Sequence, residues 1–144
     1  MLDTKQPEAC IKSDAFRDFI RKRLFPAAKY DLLLNIESDK NSKEPYFKFK
    51  SRDSGREFYV DARYLAGGTN APVEWCLPFE FENFQEIDNE TPVYILIGAG
   101  PSPAAPRHVF LFPVKNIRLN KLLYSFIEKF RISVTRTVEE KDLS

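Results

Sequence analysis

The chain has 144 residues, enough for one domain around one core. Hydrophobic residues make up 43% and charged residues 30%, a globular balance rather than a disordered one. With Lys+Arg 22 against Asp+Glu 21 the net charge is +1, which excludes the strongly basic make-up of a nucleic-acid coat protein while leaving room for a local basic groove.

The first dozen residues are polar and read as a loose arm. Ser13 or Asp14 is placed to cap a helix that runs to about Leu24 and is stopped by Pro26. Its apolar positions Ala15, Phe16, Phe19, Ile20 and Leu24 recur at helical spacing, with Arg17, Arg21, Lys22 and Arg23 opposite, a basic face most simply read as solvated. Tyr30 to Glu37 is short and aliphatic in its middle and reads as a strand, broken by the polar run SDKNSKEP. Tyr46 to Lys50 alternates, Phe47 and Phe49 facing one way and Tyr46, Lys48 and Lys50 the other. SRDSG turns the chain, with Gly55 free to take a positive φ. Glu57 to Tyr64 is the next strand, with Phe58, Val60, Ala62 and Tyr64 on one face and Glu57, Tyr59, Asp61 and Arg63 on the other. Together they predict a hairpin with one apolar and one charged face.

After the small-residue loop LAGGTNAP, Val73 to Asp88 reads as mostly helical, with Pro78 blocking its early part or sitting in its first turn. Val93 to Gly98 is a continuous apolar run, the expected fully buried strand. His108 to Pro113 is a further strand, Leu119 to Phe130 a second amphipathic helix, and ISVTRTV a short strand before the tail frays. Three strands joined by hairpin-length loops should pair antiparallel, and helices on both sides would sandwich a mixed sheet. The expected organisation is a single domain over 1–144, its core at about 13–130.

No stretch reaches the ~20 apolar residues of a membrane span, so no membrane partner is expected. The opening MLDTKQPEACIKSD has no apolar signal-peptide core, so a reducing cytoplasm is the expected compartment. Cys10 and Cys76 are isolated and His108 is the only histidine, which excludes the usual zinc ligand sets. The glycines of IGAGP follow a strand, but Pro101, Pro103 and Pro106 argue against a helix starting there, and no phosphate-loop pattern is present. Trp75 and its aromatic neighbours read as core rather than a base-stacking platform, and His108 as a strand-edge residue.

The charged face of the hairpin is the cluster that stands out. Metal-dependent phosphodiester cleavage needs carboxylates converging on a hard cation, with an open position for water and phosphate and a nearby positive charge. Asp61 and Arg63 share a face at a spacing of two, and Glu57 lies on the same side. Solubility and cross-strand pairing alone would also put such residues on a solvent-facing side.

The helix–three strands–helix–strand order, the Pro-x dipeptide opening the second strand and the acid-x-base triplet on the third resemble the PD-(D/E)xK, or restriction-endonuclease-like, nucleases. The run EPYFKFKSRDSGREFYVDARY resembles a branch reading roughly P-D-F-x-F, a hairpin, then F-x-V-E-x-K-Y/F; VEWC and PVYILIGAG…P…VFLFPV resemble its continuation, and the likeness covers about Asp31 to Ile117. The resemblance implies an αβββαβ core with a mixed four- or five-stranded sheet flanked by helices. It implies a nucleic-acid partner, DNA or RNA, and Mg²⁺ or Mn²⁺ as cofactor in an active member; the family's domains often work as homodimers. Asp61 falls on its second acidic ligand, Arg63 on its lysine and Tyr46 on its first aspartate. A phenol is a poor Mg²⁺ ligand and a guanidinium stays protonated, so a degenerate site with lost or weakened cleavage is expected. Glu37, Glu44 or Glu57 could supply the missing carboxylate, Glu37 as a metal ligand beside Asp61. The alternatives are an active nuclease using Asp61 with such a displaced carboxylate, or a protein-interaction module with no nucleic-acid role.

Overall fold

The structure, a computed structural model, describes residues 10–11, 13–35, 45–65 and 73–143. It is a mixed α/β arrangement built on one large mixed sheet. Nine strands are present among the described residues: β1 (Cys10–Ile11), β2 (Tyr30–Asn35), β3 (Phe47–Ser51), β4 (Glu57–Leu65), β5 (Val73–Glu74), β6 (Val93–Ala99), β7 (His108–Pro113), β8 (Lys121–Leu122) and β9 (Arg131–Ile132). The main sheet has the order β2-β3-β4-β6-β7-β9, with β1 pairing on β4, and β5 and β8 form a separate two-stranded ladder. β2, β3 and β4 are antiparallel neighbours, whereas β6 lies parallel to β4, from Tyr59 opposite Val93 to Leu65 opposite Ala99. The parallel pair needs a crossover, and α2 (Pro78–Asp88) supplies it.

Helix α1 (Asp14–Phe19) begins with the Ser13 side chain accepting from the Phe16 N–H and then widens into a π-helical turn over Ile20–Leu24, where the Phe25 N–H reaches Ile20 O at 2.8 Å. The strict alternation along β4 divides two cores. Phe58, Val60, Ala62 and Tyr64 join Phe16, Ile20, Leu24 and Phe25 on the α1 side; Val93, Ile95 and Ile97 join Trp75, Phe81 and Phe84 on the α2 side. Gly98 is the point of closest approach: a Cβ there would sit 2.5 Å from the Phe16 ring, so the helix lies directly on the strand.

The main sheet has seven strands rather than the expected four or five, and three further expectations need correction. Val73–Glu74 is a strand, and helix starts only at Pro78, whose missing N–H costs nothing in the first turn. Within the expected Leu119–Phe130 helix, Lys121–Leu122 instead pairs with Val73–Glu74, leaving α3 (Tyr124–Ile127) and a 3₁₀ turn at Glu128–Phe130. The tail docks rather than fraying: Val138 and Leu143 are buried, Tyr30 Oη donates to Val138 O at 2.6 Å, and Tyr94 Oη donates to Leu143 O. Among the described residues no helix is long and apolar enough to cross a membrane.

Candidate functional site

Asp61 and Arg63 occupy odd positions of β4, so both side chains turn toward α2, flanked in register by Ile95 and Ile97 of β6. The expected solvent-facing charged side does not hold for them: Asp61 is 1% exposed and Arg63 0%. Charges removed from water must be paired, and these are. Arg63 Nε donates to Asp61 Oδ2 at 2.8 Å, and Arg63 Nη2 donates to Glu80 Oε2 at 3.0 Å. Glu80 stands in the first turn of α2, 8% exposed, and its Oε1 accepts from the Leu77 N–H at 2.9 Å, satisfying a donor the helix start leaves open. One guanidinium therefore bridges a strand carboxylate and a helix carboxylate in the buried interior.

Tyr46 immediately precedes Phe47, which pairs with Val60, the neighbour of Asp61. Its ring is 1% exposed, packs with the α1-side core and lies 5.7 Å from the Arg17 guanidinium carbon. Glu57 is not brought to the cluster. It sits at the exposed start of β4, four residues from Asp61 and so roughly 13 Å along the strand, with Lys48 Nζ 3.4 Å from its Oε1. Glu37 and Glu44 lie outside the described residues. Trp75 is fully buried against Phe84 and Phe81, and His108 opens β7, partly exposed and opposite Ala99.

Glu80 is the member that sequence reasoning did not find. It is 17 positions from Arg63, and only the crossover brings the two together. One sequence signal did exist: Leu77-Pro78-Phe79-Glu80 places Pro at the first helical position and Glu at the third, the signature of a helix start.

Mg²⁺ or Mn²⁺ requires several oxygens at about 2.0–2.2 Å with positions left for water and substrate. Here the carboxylate oxygens Asp61 Oδ2 and Glu80 Oε2 are both spent on Arg63, and all three side chains are closed to solvent. No group of three or more His, Cys, Asp or Glu side chains converges among the described residues. As arranged, these residues do not fit a divalent cation.

No protein-family model matches the chain, and no curated protein matches it by sequence.

Proposed function

We propose that the chain is a degenerate nuclease-type domain of restriction-endonuclease-like architecture, one that binds nucleic acid and lacks efficient metal-dependent cleavage. Support for the architecture comes from the order of the elements. A helix precedes an antiparallel β2-β3-β4 meander, a helix crosses over, and β6 returns parallel to β4. Support for a lost reaction comes from one observation above the others: Arg63 holds both Asp61 and Glu80 in a closed interior. A phosphodiester and its attacking water would need that space and those oxygens. The arginine remains protonated throughout the working pH range, so it cannot turn into a base.

The test combines cleavage and binding. Wild type, Asp61→Ala and the double variant Tyr46→Asp, Arg63→Lys are incubated with mixed DNA and RNA in Mg²⁺ and in Mn²⁺, and equilibrium binding is followed against salt. The expected result is no cleavage by the wild type with binding that weakens steeply as salt rises, because phosphate contacts release counterions. Wild-type cleavage that disappears in Asp61→Ala would make the chain an enzyme and sink the proposal. Absence of both cleavage and binding would remove the nucleic-acid role and favour a protein-interaction module.

A further inference from the structure

The geometry points to a second property of the buried centre: Asp61 and Glu80 form a receptor for a guanidinium, which the chain fills with its own Arg63. Two carboxylates from separate elements, a mid-sheet strand and the first turn of a helix, present oxygens to different nitrogens of one planar cation, at 2.8 and 3.0 Å. Recognition through two nitrogens matches the fixed donor fork of a guanidinium; an ammonium is a point charge and a hard divalent ion demands a shell of oxygens. Glu80 is itself oriented by the Leu77 N–H, and Asp61 by its place in a strand paired on both sides. The carboxylates are therefore held by the fold and not only by the arginine. Trimming the arginine to alanine leaves a buried, doubly acidic space shaped for a small alkylguanidinium. The inference stands whether or not the chain binds nucleic acid.

Arg63→Ala and Arg63→Ala/Glu80→Gln are compared with wild type in thermal unfolding, with methylguanidinium, methylammonium or Mn²⁺ added. The methylguanidinium is kept well below denaturing concentrations. Methylguanidinium should stabilise Arg63→Ala saturably, raising Tm by about 9 °C at a hundredfold excess over Kd. It should leave wild type unmoved and act much more weakly on the double variant. If Arg63→Ala is unfolded alone, the readout becomes recovery of a cooperative transition on refolding with methylguanidinium. No stabilisation and no recovery would overturn the inference. So would an equal effect on the Glu80→Gln background, or a larger effect from Mn²⁺ than from methylguanidinium.

Discussion

Replacing Glu80 by alanine tests whether the buried centre is a mechanical tie between sheet and helix. The change removes an anchor of Arg63 and also the acceptor of the Leu77 N–H. Breaking a buried ion pair from one side costs about 3–5 kcal/mol, because a charge is left in the interior without full compensation. The lost helix-start bond adds about 1 kcal/mol. An unfolding entropy of about 2.1 cal/mol/K per residue over 144 residues is roughly 0.3 kcal/mol/K. The combined loss of about 4–6 kcal/mol then lowers Tm by roughly 13–20 °C. Glu57→Ala serves as the control, since the exposed Lys48–Glu57 pair at 3.4 Å should contribute no more than about 1 kcal/mol. Urea unfolding of Glu80→Ala, Arg63→Met and the double variant closes a cycle in which the double change costs far less than the sum. A Glu80→Ala loss as small as that of Glu57→Ala, or strict additivity in the cycle, would refute the reasoning.

Gly98→Ala has a sign opposite to propensity: alanine in a strand is usually favoured by about 0.5–1 kcal/mol. Here its Cβ would lie 2.5 Å from Phe16 Cε1 and Cζ, so a loss of about 1–3 kcal/mol is expected, shrinking when Phe16 is also trimmed to leucine. Tyr30→Phe should cost about 1–3 kcal/mol by stranding the buried Val138 carbonyl. Burial, with Glu140, Asp142, Asp53 and Glu139 nearby, pushes the Tyr30 hydroxyl up from 10.0 to about 12. Its contribution is therefore complete below pH 10 and lost as pH rises through 12, a loss that Tyr30→Phe should not show when unfolding is followed across that range. Bonds from Ser51 and Ser54 hold the Glu140 carboxyl below 4.5, so the stability difference between wild type and Glu140→Gln should be present above that pH and vanish as pH falls below it.

What the sequence made legible was whatever its periodicity carried. The alternation of EFYVDARY placed every even side chain of β4 in one core and turned Asp61 and Arg63 to the other side, whereas that of YFKFK failed at Tyr46, whose ring joins Phe47 and Phe49 in the same core instead of facing away. The unbroken VYILIG run marked a strand buried on both faces, because it is covered by α1 on one side and α2 on the other. Helical spacing misled at Leu119–Phe130, where the antiparallel pairing of Lys121–Leu122 with Val73–Glu74 overrides local preference. The alternation of ISVTRTV overstates the strand, since only Arg131–Ile132 pairs with β7; beyond it Val138 and Leu143 bury singly and their backbone carbonyls meet tyrosines far away in sequence. At the site, the spacing of two brought out Asp61 and Arg63 and the Leu77-to-Glu80 run carried a helix start, but neither their burial nor the meeting of Arg63 with Glu80 could be read, because both depend on where the crossover helix lands.

The last point of chemistry is why the centre holds arginine and not lysine. Arg63 serves two carboxylates through different nitrogens, Nε for Asp61 and Nη2 for Glu80, so its planar fork sets the separation of strand and helix. A lysine ammonium in the same place is a single point and reaches one carboxylate well at the expense of the other. Arg63→Lys should therefore keep the charge yet lose about one charge-assisted hydrogen bond, roughly 1.5–3 kcal/mol. Urea unfolding measures that loss directly. A lysine variant as stable as wild type would show that charge alone fills the centre, and with it the argument for a guanidinium-shaped site would fall.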